Sequence, residues 1–241
     1  MPEHRIYVEP YGGAASVLLR KPRSYSEVYN DLDGEVVNLF RVIRERPVEL
    51  ARALEMTPYA RDEYYEAFEV SSDPFELARH MLVRSYMGFG SNSVNRVAGS
   101  GFRANVTRSY STPAGDWANF PPVVLEIAER LRGVTIENRP ALQLLATHRD
   151  PAGLVYLDPP YPHSTRGRGA GRGARSGYIH EMTDEDHCEL ALVALDHPSR
   201  VMVSGYRCDL YDALYGGWRR EDRKAMADGA RERTESLWMN F

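Results

Sequence analysis

Apolar positions recur along the chain with two periods. Ile6-Tyr7-Val8-Glu9, Glu27-Val28-Tyr29, Val134-Thr135-Ile136-Glu137, Leu154-Val155-Tyr156-Leu157 and Val201-Met202-Val203-Ser204 are short apolar runs bounded by turn formers. Runs of this kind predict buried strands. Glu35 to Arg44 places Val36, Val37, Leu39, Phe40 and Ile43 on one helical face, and Pro47 is expected to end it. Further helical stretches are read at Pro58 to Phe68, Pro74 to Tyr86, Ala141 to Thr147, Thr183 to Leu195 and Asp209 to Leu214, and Val17-Leu18-Leu19 reads as a helix start. Thr183 followed three residues later by Asp186 resembles a capping box. Trp218 to Arg223 and Glu232 to Met239 look like a closing antiparallel pair. Strands alternating with helices predict an α/β fold: a mixed, mostly parallel sheet flanked by helices, with a largely helical insert at about residues 49–132.

Two stretches break the pattern. Met87 to Pro122 is rich in Gly, Ser, Asn and Arg, with Phe89, Phe102, Trp117 and Phe120 spread through it. A loop this long is usually functional or disordered. Its arginines and aromatics suit phosphates and bases, while Trp117 is expected to pin it to its own helices. Thr165 to Gly177 alternates Gly with Arg and Ala, cannot build a core, and is expected to be a mobile lid or disorder.

Composition narrows the classes. At 241 residues, 43% hydrophobic and 27% charged, the chain can bury a full core and is not of the disordered type. No apolar run has the length of a membrane span and the start lacks a signal-peptide pattern, so a cytoplasmic protein is expected. Cys188, Cys208 and the histidines show no metal or disulfide spacing, so no metal is expected. The net charge of −4 argues against a nucleic-acid partner, but its distribution reverses the argument. Leu77 to Gly115 holds no acid and five arginines (Arg79, Arg84, Arg96, Arg103, Arg108), and Pro159 to His180 holds no acid and four (Arg166, Arg168, Arg172, Arg175). These windows carry +9 and the remainder −13. Segregated positive charge is what binding a phosphate backbone needs.

Candidate chemistry begins at Asp158-Pro159-Pro160-Tyr161, directly after the run ending at Leu157. Two prolines stop a strand and stiffen the chain behind them. A carboxylate, a carbonyl and an aromatic ring are thereby fixed at the carboxyl end of a strand, the edge where open α/β sheets bind ligands. Carboxylate and carbonyl can accept both hydrogens of one amino group, and the ring offers a stacking face. Nearer the start, Pro10-Tyr11-Gly12-Gly13-Ala14-Ala15-Ser16 follows the first strand, and small residues there let a nucleotide-like ligand approach the backbone. Asp31, past the second strand, suits ribose hydroxyls; Asp33 is the better cap for the next helix, which leaves Asp31 available.

Together these motifs resemble the DNA adenine methyltransferases, in the group whose cofactor motif precedes Asp-Pro-Pro-Tyr, and most closely the short adenine methylases of phages and prophages. The resemblance covers nearly the whole chain. Tyr7 to Ala14 is similar to the cofactor loop and Tyr29 to Asp33 to the ribose motif. Arg84 to Gly90 with Gly101-Phe102-Arg103 is similar to the target-recognition insert. Arg130 to Val134 with Ile136-Glu137-Asn138 resembles the return to the sheet, and Tyr178 to Thr183, Ser204-Gly205-Tyr206 and Thr234 to Trp238 match later elements. The resemblance implies a Rossmann-like methyltransferase sheet, mostly parallel with a C-terminal antiparallel strand. Residues 1–48 and 133–241 would form the catalytic domain and 49–132 the target-recognition insert. It implies S-adenosylmethionine held by Glu9, Pro10, Tyr11, Gly12, Gly13, Ala14, Asp31, Leu32 and Asp158. Catalysis would fall to Asp158, Pro159, Pro160 and Tyr161, and DNA contacts to Arg84, Arg96, Arg103, Arg108, Arg166, Arg168 and Arg172.

Two departures are visible. Family members carry a Gly-Gly-Lys element about a helix upstream of the first strand. This chain opens at Met1-Pro2-Glu3-His4-Arg5, so an upstream start or a truncation is expected, with weaker cofactor binding. Arg139 stands where many relatives have an acidic residue toward the cofactor adenine. The implied activity is methylation of the adenine amine in double-stranded DNA by base flipping, by a cytoplasmic monomer, in phage or restriction–modification settings. Rival readings are a methyltransferase on another planar amine (cytosine, RNA or a protein amide), or a truncated, non-catalytic DNA-binding remnant.

Overall fold

The computed structural model describes residues 1–89, 101–104, 111–165, 179–227 and 231–241; the side chains of 225–227 and 231–233 are outside that description. In chain order the elements are β1 (Ile6–Glu9), β2 (Ser26–Asn30), α1 (Gly34–Glu45), α2 (Pro47–Met56), α3 (Arg61–Glu66), α4 (Pro74–Met87), α5 (Pro113–Ala118) and α6 (Pro121–Arg130). Then come β3 (Val134–Glu137), α7 (Ala141–Thr147), β4 (Gly153–Leu157), α8 (Asp184–Leu195), β5 (Arg200–Tyr206), α9 (Asp209–Leu214), β6 (Arg219–Ala227) and β7 (Arg231–Met239). Contacts divide the chain into two compact units. One holds Met1–Asp33, the segment that begins at Gly133, and His180–Phe241; the other holds Gly34–Arg132.

The first unit is a seven-stranded sheet of order β3-β2-β1-β4-β5-β7-β6. Strands β1 to β5 run parallel, and β7 lies antiparallel to both β5 and β6. This is the mostly parallel sheet with an antiparallel end that the periodicity predicts. Val8 pairs with Val28 on one side and Val155 on the other, and Leu157 pairs with Val203, so these side chains share one apolar face, while Tyr7, Tyr29 and Leu154 are buried on the opposite face. Leu144 and Leu145 of α7, Leu190 and Ala191 of α8, and Tyr211 of α9 complete that core. Those helices cover the first face, and burial of the residues on both faces is what favours near-continuous apolar strands. The capping box on α8 forms as expected, with Asp186 N–H donating to Thr183 Oγ1 and Thr183 N–H to Asp186 Oδ2.

The second unit is helical. Proline opens α2, α4, α5 and α6, where a missing N–H costs nothing. Pro47 thus starts a helix as well as ending one. Asp73 caps α4 by accepting Phe75 N–H at 2.9 Å, and Thr112 caps α5 through Gly115 N–H at 3.1 Å. The apolar face of α1 packs on α4 and α6, so α1 belongs with this unit from Gly34 onward, earlier than the expected boundary at residue 49. Trp117 is buried, its Nε1 donating to Thr57 O at 2.8 Å, which is the pinning role expected of it.

Val17-Leu18-Leu19 does not begin a helix; it lies in a run of turns. Ala15 sits at φ 53°, and Leu18 N–H donates to Glu9 Oε2 at 3.0 Å. A left-handed residue and a diverted amide stop the helical ladder before it propagates.

Candidate active site

Strand order reverses between β1 and β4: the chain moves from β1 to β2 on one side, while β4 and β5 lie on the other. The crevice outside the carboxyl ends at such a switch point is the usual ligand site of an open α/β sheet. The segment after β1 (Pro10–Ala14), the segment after β2 (Asp31–Leu32) and the segment after β4 (Asp158–Tyr161) all start at that edge.

The first segment is shaped by its glycines. Gly12 is buried against the Tyr29 ring, where an added Cβ would stand 2.1 Å from Tyr29 Cε2. Gly12 N–H donates to Asn30 O at 2.8 Å, and Tyr29 Oη donates to Gly13 O at 2.7 Å. Gly13 has φ 47°, and a Cβ there would meet nothing within 4 Å. Its exposed backbone faces open space. Glu9 turns inward: only 2% exposed, its Oε2 accepts Tyr7 Oη–H at 2.6 Å and Leu18 N–H at 3.0 Å. The carboxylate therefore staples both ends of the turn. Burial pushes it up to about 7 against those two hydrogen bonds; the Asp158 charge adds to the rise and Lys21 opposes it. Pro10 is buried, Tyr11 packs partly buried against the sheet core, and Ala14 is exposed.

Asp31 is not available in the sense expected of it, because both of its oxygens hold backbone amides. Oδ2 accepts Gly13 N–H at 2.7 Å and Oδ1 accepts Asp33 N–H at 2.8 Å. Burial lifts its carboxyl above the usual range, and the two amides and His180 work against that rise. A carboxylate has roughly four acceptor positions, so these two bonds leave capacity for hydroxyls. Two asparagines that lie within the ribose motif and the return to the sheet, but carry no role of their own in the sequence reading, frame this corner. Buried Asn30 donates Nδ2 to Pro10 O (2.8 Å) and Arg139 O (3.0 Å), and its Oδ1 accepts Arg139 N–H (3.0 Å). Asn138 Nδ2 donates to Asp31 O at 2.8 Å and to Leu32 O at 3.2 Å. The Leu32 side chain is exposed. A buried asparagine at a strand end, which must find partners for its amide, is the sequence signal that could have found the first of them.

After β4, Pro159 is buried while Asp158, Pro160 and Tyr161 are half-buried. Ser204 Oγ, on β5, donates to Asp158 Oδ1 at 2.5 Å. Burial raises the Asp158 carboxyl; the Ser204 hydrogen bond lowers it, Glu235 raises it, and a hydrogen bond with Tyr161 lowers it. The Tyr161 ring meets Tyr206 edge to face, with centroids 4.7 Å apart. Both sides of the crevice thus present polar backbone and carboxylates backed by aromatic rings.

Residues 1–226 match the D12 class N6 adenine-specific DNA methyltransferase family. The chain belongs to that family. No curated protein is similar enough to register as a relative. This methyltransferase therefore uses S-adenosylmethionine to methylate adenine in DNA. The chemistry of these residues is compatible with such a donor: Gly13 presents backbone without a side chain, and the Asp31 carboxylate keeps acceptor capacity for hydroxyls. Among the described residues no group of His, Cys, Asp and Glu could hold a metal ion, and no helix is long and apolar enough to cross a membrane.

The methyltransferase's basic residues divide. Arg84, expected on the DNA, is corrected: it is 0% exposed, donates Nη1 to Ala67 O at 2.5 Å and pairs Nη2 with Glu35 at 3.2 Å. A guanidinium so enclosed holds helices together and cannot reach a phosphate. Arg103 is half-buried, its backbone O accepting Tyr59 Oη–H at 2.7 Å. Arg96, Arg108, Arg166, Arg168 and Arg172 lie outside the described residues, as do 166–177 of the expected lid. Of the insert's aromatics, Trp117 and Phe120 are core, Phe102 packs beside Tyr59 and Tyr64, and Phe89 is 50% exposed.

Proposed function

We propose that the methyltransferase receives a flipped adenine at the Asp158–Tyr161 turn, with S-adenosylmethionine held by the Pro10–Ala14 segment, Asp31 and Leu32. The supporting observation is Asp158 itself. It is a desolvated carboxylate, held by a serine at the carboxyl end of β4 beside the sheet's switch point. Bound there, S-adenosylmethionine supplies an electrophilic methyl group. The adenine amine is a poor nucleophile because its lone pair is conjugated with the ring. The Asp158 carboxylate and Pro159 carbonyl accept its two hydrogens, which localises the lone pair and stabilises positive charge growing on nitrogen. Pro159 and Pro160 keep those acceptors from adjusting, so little reorganisation is needed. The Tyr161 ring, steadied by Tyr206, gives the base a stacking surface. Taking a base out of the duplex costs a few kcal/mol, comparable to the ~1–3 kcal/mol of one aromatic stack plus two hydrogen bonds. Glu9 acts indirectly, by holding the cofactor turn from beneath.

Arg96, Arg103 and Arg108, with Phe89, read the target sequence in this account, while Arg166, Arg168 and Arg172 neutralise phosphates. The partner is double-stranded DNA and the working form a monomer. Asp158→Ala tests the core of the proposal: methyl transfer from tritiated donor to unmethylated genomic DNA is expected to vanish while DNA affinity persists. A folded variant with near-normal turnover refutes it.

A further inference from the structure

Ser204 lies 46 residues from Asp158 and outside every motif with an assigned role, yet its hydroxyl donates directly to that carboxylate. The local sequence Ser204-Gly205-Tyr206 explains why. In a strand, alternate residues share a face. Leu157 pairs with Val203, so Asp158 emerges opposite Ser204 on the neighbouring parallel strand. Ser204 Oγ reaches Asp158 Oδ1 at 2.5 Å, and on the same face Tyr206 meets the Tyr161 ring at 4.7 Å. Gly205 points the other way, where a Cβ would stand 2.7 Å from Tyr211 Cε2 and 3.7 Å from Trp238 Cζ3. The tripeptide is thus fixed on both faces: a missing side chain lets β5 sit on its aromatic backing, and two polar side chains grip the turn in front.

We propose that Ser204 is a positioning residue for methyl transfer, orienting the Asp158 carboxylate through Oδ1 so that its remaining acceptor capacity meets the adenine amine. The inference rests on the proposed role of Asp158 as the amine's acceptor. Ser204 touches neither base nor donor in this account; it fixes the rotamer of a group that does. It also favours the ionised form of a carboxylate whose surroundings disfavour it. The titratable groups around Asp158 are Glu9 on β1, Tyr156 on β4, Tyr161 in the turn, Glu235 on β7 and Tyr211 on α9. Glu9 and Glu235 oppose a charge at Asp158, burial does so more strongly, and the two hydroxyl donors Ser204 and Tyr161 counter them. Without the Ser204 hydrogen the balance moves toward a protonated acid, which cannot accept both an amine hydrogen and a full share of the developing positive charge.

The test measures single-turnover methylation of unmethylated bacterial genomic DNA with tritiated S-adenosylmethionine, from pH 5.5 to 9, for wild type, Ser204→Ala, Ser204→Thr, Ser204→Cys and Asp158→Ala. Donor binding by calorimetry confirms that each variant is folded. A hydrogen bond to a charged group is worth enough for a loss of about ten- to a hundredfold in rate. Ser204→Ala is expected to fall by that factor with donor affinity unchanged, and its acid limb to move to higher pH by about one pH unit. Ser204→Thr, which keeps the hydroxyl, should stay within about threefold of wild type with an unmoved limb; Ser204→Cys, similar in volume but a weak donor, should follow the alanine variant. If the alanine variant does not bind donor, the Thr and Cys pair decides. Wild-type rates and limb in the alanine or cysteine variant, with Asp158→Ala inactive, overturn the role of Ser204 alone. Near-normal rates for a folded Asp158→Ala overturn the reading of Asp158 beneath it, and the proposal with it. Equal losses for Thr and Cys with an unmoved limb also overturn it, because they would mark a packing role.

Discussion

Gly12→Ala probes the packing that shapes the cofactor turn. An ideal Cβ on Gly12 would stand 2.1 Å from Tyr29 Cε2 and 2.6 Å from its Cδ2 and Cζ. Unbonded carbons rest at about 3.5–4.0 Å, so something must move by about 1.5 Å. The ring is poorly placed to yield. Tyr29 is fully buried, sits on β2 between β1 and β3, and donates its hydroxyl to Gly13 O at 2.7 Å. The turn must therefore lift, which strains Gly12 N–H to Asn30 O (2.8 Å) and Gly13 N–H to Asp31 Oδ2 (2.7 Å). Overpacking of this kind costs about 1–3 kcal/mol, and each weakened hydrogen bond about 0.5–1.5 kcal/mol. A total of about 2–6 kcal/mol corresponds to a Tm drop of roughly 4–24 °C for a chain of this size. S-adenosylmethionine affinity should fall more than tenfold, because the turn that lifts is the one proposed to hold the donor. Calorimetric unfolding and donor titration measure both. Combining the substitution with Tyr29→Ala removes the collision, so the pair should be less damaging than the sum of its parts. A Gly12→Ala protein with unchanged Tm and donor affinity, or strict additivity in the double variant, refutes the reasoning.

Asp31→Asn should weaken donor binding about tenfold or more, since one amide oxygen cannot serve both Gly13 N–H and Asp33 N–H while meeting a ribose; calorimetry at neutral pH checks it. Glu9→Gln should flatten the pH dependence of stability. The Glu9 carboxyl is raised from 4.5 to about 7 in the fold, so the unfolded chain loses this proton first and folding stability declines as pH rises through that window, by up to about 3 kcal/mol. Urea unfolding at pH 5 and pH 7.5 should therefore show wild type losing stability relative to Glu9→Gln at the higher pH, and a parallel pair of curves would count against the buried carboxyl. Arg84→Met should cost about 3 kcal/mol by removing the buried guanidinium that bonds Glu35 and the Ala67 carbonyl, yet leave the salt dependence of DNA binding unchanged, as fluorescence titration across salt concentrations would show.

Local sequence was sufficient wherever one element carries its own signal. Apolar runs ending in turn formers marked β1 to β5 within a residue or two, because a strand buried on both faces leaves few alternatives to Val, Ile and Leu. The turn chemistry of Gly12-Gly13 and of Asp158-Pro159-Pro160-Tyr161 was equally legible, since only particular residues permit those backbone paths. Thr183 with Asp186 announced a capping box because both partners lie within one helical turn.

Partnership across long separations required the tertiary structure. Arg84 reads as a DNA contact because an acid-free window says nothing of Glu35, which lies 49 residues earlier and pairs with it. Asp31 reads as available because its two amide donors come from Gly13 and Asp33, one of them across the sheet edge. Val17-Leu18-Leu19 reads as a helix because nothing local shows that the carboxylate of Glu9, nine residues before Leu18, takes its amide. Ser204 carries no role at all until strand pairing sets it opposite Asp158. Sequence thus specifies which groups can hydrogen-bond or carry charge, and periodicity specifies the face each occupies. Which of them are spent holding the fold and which remain for substrate is decided when the chain closes, because burial makes each polar group take the partner within reach.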